Sequence, residues 1–209
     1  MQLKALTRGI SGIIPGGISI LDFAIVAQTD QISAKEILNV LVANKIGTYN
    51  GEIVNFKPGD KLRAALFAIH MGVPIEDVST YLTWKDFEGL VAEILESKDF
   101  SIIKNLVLTK PRMEIDVIGI NHGVALLIDC KHWKRSSQSS LRQIVKKQVA
   151  RVQHYVSKSH GAIGIPAIVT LHQEEITFFD KVPIIPILQL SSFIDEFYGN
   201  LDKLMAIEP

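Results

Sequence analysis

The chain has 209 residues, of which 47% are hydrophobic and 21% charged, and its formal net charge is zero. This composition predicts packed domains and excludes an intrinsically disordered chain, while the zero net charge gives no overall preference for an anionic partner. The single cysteine, Cys130, excludes an intrachain disulfide and a zinc site built from several cysteines, and we expect a reducing, cytoplasmic compartment.

No membrane or export segment is predicted. The longest uncharged stretch, residues 159–173, is shorter than the roughly 20 apolar residues that span a bilayer. The apolar run near the start is interrupted at Pro15-Gly16-Gly17, so we expect no signal peptide.

Residues 1–80 are predicted to form a mainly helical domain. Ser33 followed by Glu36 is a capping box, which predicts that a helix begins there. Asn50 and Gly51 favour the positive φ angles of a tight turn between strand-forming residues, so a small hairpin is expected after that helix. A helix followed by a small hairpin is compatible with a winged-helix layout.

A second pattern in this domain is typical of helix-turn-helix units. Ala68, Gly72 and Val78 have the spacing at which such units place a small residue, a turn glycine and a packing apolar residue. DNA reading by this segment is one interpretation. A helical scaffold or dimerisation domain is the alternative, since many helical hairpins share the pattern.

Residues 81–209 are predicted to form one α/β domain. Thr83 and Asp86 are expected to cap its first helix, which carries an apolar stripe. The elements that follow are strands over 100–109, 113–120 and 123–130, a helix over 139–158, strands over 162–171 and 182–190, and a helix over 191–205. This α-β-β-β-α-β order, extended by β-α, predicts a mixed β-sheet flanked by helices.

Three charged residues interrupt two of the predicted apolar strands. Because strand side chains alternate between faces, Asp129 and Lys131 point to one side and Cys130 to the other. A turn at residues 121–123 joins this strand to the preceding one, and in such a hairpin Asp116 can approach Asp129. The two acids and the lysine are therefore expected to share one edge of the sheet.

The two acids, Asp116 and Asp129, would repel each other unless a cation neutralised them. Mg²⁺ or Mn²⁺ would do so, because hard divalent cations take oxygen ligands from carboxylates, water and substrate phosphate. A metal held there can polarise a phosphoryl oxygen and activate a water, with Lys131 beside it to balance the phosphate charge. The alternative is a buried Asp–Lys pair that only holds two strands together.

The same residues resemble a known signature. Asp116, twelve intervening residues and then Asp129-Cys130-Lys131 are similar to the D…(D/E)-x-K motif of the PD-(D/E)XK restriction-endonuclease-like superfamily. The surrounding text is similar to the Mrr-type and archaeal Holliday-junction-resolvase branches, in the segments FEGLVAEILE, RMEIDVIG and LLIDCKHW. The resemblance covers about residues 83–190 and includes the α-β-β-β-α-β order of that family's core.

The resemblance implies a role for each matching residue. Asp116 and Asp129 match the metal-binding acids, and Lys131 matches the catalytic lysine. The backbone carbonyl of Cys130 matches a further metal ligand. Glu88 matches an acid that some branches add to the metal site, and the alternative is a first-turn glutamate favoured by the helix dipole.

Two positions depart from the family pattern. Ile115 stands where the motif has a proline before the first acid, and Asp129 stands where many members have glutamate. Aspartate has a shorter side chain than glutamate. A metal bound here would therefore occupy a different position than in those members, and the activity could differ as well.

Basic residues surround these candidates. From Cys130 to Gln173 the chain has eight lysines and arginines and no aspartate or glutamate, a pattern that would attract phosphate. The expected phosphate contacts are Arg112, Lys134, Arg135, Arg142, Lys146, Lys147 and Arg151, and for each the alternative is a solvated surface charge. Gln148 falls where related nucleases place a supporting polar residue, and we expect surface polarity to explain it.

These features together predict a metal-dependent DNA endonuclease that hydrolyses phosphodiester bonds, on structured or branched DNA, with Mg²⁺ or Mn²⁺ as cofactor. The helix over 139–158 would hold the DNA backbone, and the N-terminal domain would position it. The resemblance implies a homodimer, because duplex cleavage needs two sites. Two alternatives stay open: a DNA-binding protein that keeps the fold without activity, and a structural subunit of a DNA-processing complex.

Overall fold

A computed structural model describes residues 2–131, 138–159, 161–171 and 176–208. The chain divides into two compact units, Met1–Phe87 and Glu88–Pro209. The boundary predicted after residue 80 falls in the connection between the helices Ile75–Ser79 and Trp84–Glu96. Within the described ranges, no helix combines the length and the apolar character needed to cross a membrane.

The first unit is mainly helical, as predicted, and contains a small antiparallel sheet. Its elements are α1 (Leu3–Gly9), a 3-10 turn (Ile10–Gly12), β1 (Ile18–Ser19), α2 (Ile20–Ala27), α3 (Gln31–Ala43), β2 (Thr48–Asn50), β3 (Ile53–Asn55), α4 (Asp60–His70) and α5 (Ile75–Ser79). The strand order is β1-β3-β2. The helices pack closely, since a Cβ at Gly9 would lie 2.4 Å from the ring of the buried Phe23.

Two local predictions in this unit are wrong. Helix α3 begins earlier than predicted, because Asp30 is its N-cap and accepts a hydrogen bond from the Ser33 backbone N–H. The hairpin turn lies one residue later than predicted, and Gly51 has a positive φ of 64° while Asn50 remains in β2. The register is fixed by the fully buried Val54, which must face the core.

The second unit is built on a six-stranded mixed sheet, which confirms the predicted fold class. Its elements follow α6 (Trp84–Glu96) in the order β4 (Ser101–Leu108), β5 (Met113–Asn121), β6 (Val124–Lys131), α7 (Gln138–Val156), β7 (Ile163–Thr170), β8 (Thr177–Phe179), β9 (Val182–Pro186), α8 (Ile187–Asp195) and a 3-10 helix (Tyr198–Lys203). The strand order is β4-β5-β6-β7-β9-β8. Strands β6, β7 and β9 are parallel, and the other neighbouring pairs are antiparallel.

The predicted cap of α6 is confirmed. The Asp86 backbone N–H donates to the Thr83 hydroxyl at 3.2 Å, and the Thr83 backbone N–H donates to the Asp86 carboxylate at 2.8 Å. These reciprocal bonds satisfy backbone donors that have no partner within the helix.

Helices cover both faces of the sheet, and two glycines allow the close approach. A Cβ at Gly164 of β7 would lie 2.6 Å from side-chain carbons of both Val152 and Val156 on α7. A Cβ at Gly119 of β5 would lie 3.0 Å from Leu95 of α6. Because neighbouring strand positions alternate in direction, α7 and α6 pack on opposite faces of the sheet.

The end of the chain differs from its prediction. The strand expected over 182–190 is two elements, because β9 ends at Pro186, which is the N-cap of α8. Proline lacks a backbone N–H and cannot donate the hydrogen bond that a further strand residue would need. It is tolerated at the start of a helix, where that N–H has no partner within the helix. The apolar residues Ile187, Leu190 and Ile194 are buried at helical spacing. The short strand β8 was not predicted.

Candidate active site

The site begins where the ladder between β5 and β6 stops. Val117 pairs with Ile128, and one residue further the register sets Asp116 opposite Asp129. Here the Cys130 backbone N–H donates to Asp116 Oδ2 at 2.7 Å. The Asp116 carboxylate therefore accepts the hydrogen bond that a backbone carbonyl of β5 would otherwise accept. Both acids lie at the open end of the β5–β6 hairpin, away from its turn.

The Asp129 carboxylate lies on the face of the sheet that α7 covers. Ile118 and Leu127 are paired across the strands and belong to the same core cluster as Val152 of α7. Asp129 is two residues beyond Leu127 and contacts Arg151 of α7, so it points to that face. Ile115 and Ile118 both belong to that cluster, so the alternation of β5 is interrupted at Asp116, whose carboxylate is placed by its bond to the Cys130 N–H. The predicted sharing of one face by Asp129 and Lys131 agrees with the contact between them.

Asp129 is 2% exposed and lies between two cations. Arg151 Nη1 donates to Oδ1 at 2.7 Å, and Lys131 Nζ lies 2.8 Å from Oδ2. The Lys131 contact is an ion pair only, since Oδ2 accepts no hydrogen bond of acceptable geometry from the described residues. With Asp116, the group has two negative and two positive charges and is formally neutral.

Burial raises the pKa of the Asp116 carboxyl above its usual range. The hydrogen bond from the Cys130 N–H acts in the opposite direction, the charge of Asp129 raises the pKa further, and Lys131 and Arg151 lower it. Asp116 therefore takes up a proton at a higher pH than a solvent-exposed aspartate does.

Cys130 and Glu88 belong to the buried part of the unit. Burial, and then the charges of Asp116 and Glu88, raise the pKa of the Cys130 thiol well above its ordinary value. The thiol stays protonated, so it is not a nucleophile. Glu88 is buried on α6, four residues beyond Trp84, so the alternative of a first-turn glutamate is wrong.

The donor set fits a hard divalent cation. Among the described residues, no three His, Cys, Asp or Glu side chains converge into a metal cage. Two carboxylates and a backbone carbonyl would instead supply part of the coordination, with water and phosphate oxygens for the rest, as is usual for Mg²⁺. The buried Asp129 Oδ2, which accepts no hydrogen bond, is an oxygen suited to that use.

Helix α7 adds one residue, Gln148, that sequence reasoning misjudged. Gln148 is fully buried, and its Nε2 donates to the Leu127 carbonyl of β6 at 2.8 Å, so surface polarity is the wrong explanation. Its Oε1 accepts from Arg151 at 3.2 Å. The signal was in the sequence, because Gln148 continues the helical spacing of the buried Val145 and Val152.

The predicted phosphate contacts lie in different places. Arg151 turns inward to Asp129, whereas Lys147 and Arg112 are exposed. Arg142 places its guanidinium over the Phe179 ring, 5.6 Å from the centroid. Lys146 is exposed, and Lys134 and Arg135 lie outside the described residues.

Comparisons with known proteins connect this site with one family. A family model described as nuclease-related domain (NERD) matches residues 83–170. An uncharacterised protein of Archaeoglobus fulgidus is 31% identical over 124 residues, which cover 57% of this chain and 95% of that protein. Protein VC1899 from Vibrio cholerae has a crystal structure similar to 96% of this chain, at 13% identity and a TM-score of 0.41, and the chain spans 52% of its length.

Proposed function

We propose that the chain is a metal-dependent DNA endonuclease, and the premise is the match of its residues 83–170 to the model of the nuclease-related domain family. It would hydrolyse phosphodiester bonds with Mg²⁺ or Mn²⁺ as cofactor. The resemblance of its motifs to Mrr-type and Holliday-junction-resolvase sequences makes structured or branched DNA the first substrate class to test. A homodimer is part of the proposal, and sedimentation velocity would measure it.

Each residue of the site has a role in this proposal. Asp116, Asp129 and the Cys130 carbonyl would hold the metal, which when bound polarises a phosphoryl oxygen and lowers the pKa of a water. Lys131 would balance the charge of the scissile phosphate and orient the attacking water. Arg151 holds the Asp129 carboxylate in its orientation through the 2.7 Å hydrogen bond.

One observation carries the proposal. The β5–β6 register sets Asp116 opposite Asp129 just beyond the last ladder pair, with Lys131 beside Asp129. Buried carboxylates are costly unless they are paired or bind a cation. A purely structural role explains the Asp129 ion pairs but gives no reason for a second, partly buried acid with a raised pKa at Asp116.

The decisive experiment is a cleavage panel. Labelled duplex, nicked, flap, single-stranded and four-way DNAs would be incubated with wild-type protein and Mg²⁺ or Mn²⁺. Lys131→Ala and Asp116→Ala should each lower the cleavage rate by on the order of a hundredfold or more, as expected for loss of a group that stabilises developing charge. Lys104→Ala is the matched control, because Lys104 is exposed and pairs with Val117, which faces away from the acids.

Equal cleavage by wild type and Lys131→Ala would exclude the proposed site. A second candidate is a DNA-binding protein that keeps the fold without activity. The ion pairs of Asp129 with Lys131 and Arg151 favour that candidate, because they balance the charge of the carboxylate without a metal. Salt-sensitive DNA binding with no cleavage under any divalent cation would support it, and failure to bind any nucleic acid would favour a structural subunit.

The first unit is proposed to position the DNA. Helices α4 and α5 are joined at Gly72, which has a φ of 92°, and Ala68 and Val78 are fully buried. This is the arrangement that the helix-turn-helix spacing predicts. Helix α5 has only five residues, so a scaffold role for this segment stays the alternative.

A further inference from the structure

The basic residues of α7 and the turn after it divide into two rows. One row, which we call the site-side row, consists of Lys147, Arg151, His154 and Lys158. These residues follow each other at intervals of four, three and four, so they share one flank of the helix. Arg142 and Lys146 do not continue this spacing and belong to another flank. The sequence analysis treated the lysines and arginines of this segment as one surface.

The site-side row borders the candidate active site. Arg151 donates to Asp129 at its centre. Further along, Lys158 Nζ donates to the Thr109 carbonyl at 2.6 Å, and His154 Nε2 lies 3.2 Å from the same oxygen. Thr109 belongs to the turn between β4 and β5, which also carries the exposed Arg112. The row therefore runs from the acids to this turn.

The opposite flank faces a different part of the sheet. Arg142 lies over the Phe179 ring of β8, and Lys146 lines a hollow of about 350 Å³ with Asp180 and Met205. β8 is the edge strand of the sheet, three strands away from β6. Arg142 and Lys146 are therefore turned away from Asp129, and the carboxylate of Asp180 reduces the positive potential on this flank.

We propose that the site-side row, together with Arg112, is the track along which the phosphate backbone of one DNA strand reaches Asp116 and Asp129. The proposal rests on the proposed function, which it deepens by excluding Arg142 and Lys146 from the contact surface. From Lys147 to Lys158 the row is about 16 Å long at 1.5 Å per residue, which corresponds to about five phosphates of one strand.

The arrangement also explains how a neutral site would accept a phosphate. The charges of Arg151 and Lys131 are balanced by Asp116 and Asp129, so they give little attraction at a distance. Lys147, Lys158 and Arg112 have no such acid paired with them among the ion pairs of the described residues. These three cations would attract the DNA from a distance. Arg151 and Lys131 would interact with a phosphate only once it has reached the site.

The test compares two double variants that remove the same charge from the same region. Lys147→Gln/Lys158→Gln changes the site-side row, and Arg142→Gln/Lys146→Gln changes the other flank. Binding of the full chain to a fluorescently labelled 30-base-pair duplex would be measured by anisotropy in EDTA, from about 50 to 300 mM salt. Circular dichroism and Tm would verify folding, and all four side chains are exposed.

The association constant of the first double variant should be lower by about tenfold or more at 0.1 M salt. The slope of log K against log salt concentration should be smaller in magnitude by about two. The second should match wild type. Any contribution of the first unit is the same in both variants, so it cancels in the comparison. Arg112→Gln added to the first variant should reduce the slope by about one more.

Equal losses in both double variants would overturn the track, because they would indicate a diffuse basic surface. A loss confined to Arg142→Gln/Lys146→Gln, or no loss in either, would overturn it as well. Selective loss without any cleavage by wild type would support the track while rejecting the nuclease activity. The two proposals therefore fail through different results.

Discussion

Asp116 and Asp129 are opposite each other in the β5–β6 register, yet their surroundings give them different effects on stability. Asp129 contacts two cations, at 2.7 and 2.8 Å. Asp116 accepts one backbone hydrogen bond, and burial raises the pKa of its carboxyl. The folded state therefore disfavours the charged form of Asp116, whereas each carboxylate oxygen of Asp129 contacts a cation.

Asp116→Asn should not lower stability at neutral pH. Because the pKa of Asp116 is raised in the folded state above 3.8, the unfolded chain releases this proton first, and stability falls as pH rises through the folded pKa. The amide oxygen can still accept from the Cys130 N–H. We expect a Tm at pH 7 equal to or up to about 4 °C above that of wild type, with the difference vanishing below the unfolded pKa. A clearly lower Tm at pH 7 would contradict this.

Asp129→Asn should have the opposite effect on stability. Both Lys131 and Arg151 would lose their contact with a charged carboxylate, and both side chains are partly buried. We expect the free energy of unfolding to fall by roughly 2 kcal/mol or more, measured by urea denaturation at pH 7. Asp202→Asn, which changes an exposed aspartate of the same unit, is the control for an ordinary surface effect.

Arg151→Met should increase the affinity of the free protein for Mn²⁺. Removal of this cation leaves Asp129 with one free oxygen and gives the site a net negative charge. We expect on the order of a tenfold lower dissociation constant, measured by calorimetry without DNA. Arg142→Met makes the same chemical change on the other flank and should leave the affinity unchanged. Weaker Mn²⁺ binding by Arg151→Met would show that Arg151 supports the metal site rather than competing for it.

Close packing between elements makes Gly164 the most sensitive glycine of the sheet. A methyl group there would meet Val152 and Val156 at 2.6 Å and push α7 away from β7. Gly164→Ala should lower the free energy of unfolding by about 1–3 kcal/mol, as overpacking does in other cores. Since Gln148 and Arg151 are on the same helix, this substitution should also disturb the site.

Gly89→Ala is the matched control for this effect. Gly89 is within α6, and a Cβ there would meet nothing within 4 Å. Because alanine favours a helix over glycine, Tm should stay equal or rise. Equal destabilisation by both substitutions in thermal unfolding would rule out the packing argument for α7 and β7.

At the scale of elements, the sequence predicted the strands well and the junctions poorly. β4 to β7 carry long β-forming runs bounded by turn residues, so pattern alone located them. The continuous apolar run VPIIPILQL was read as one strand. In the structure it divides at Pro186 into β9 and the beginning of α8. An apolar run that is buried in either conformation has no periodicity signal, so packing decides between strand and helix.

At the scale of the whole molecule, the role of the first unit can be tested by hydrogen exchange. If α4 and α5 contact DNA, duplex added to the full chain should protect backbone amides over residues 60–79. Peptides from the buried core of α3 should not change. Protection limited to the second unit would favour a scaffold role for the first. Mass spectrometry of the exchanged protein measures both units in one experiment.

The sequence by itself determined the mixed α/β fold of the second unit and predicted that Asp116, Asp129 and Lys131 lie close together, because the order of residues along strands is a local property. Only the tertiary structure decided that Arg151 and Gln148 turn inward from α7 to β6. It also separated the basic residues of this helix into two flanks. The physical reason is that a helix and the strand it covers meet at an angle and register set by packing, which the one-dimensional pattern does not contain.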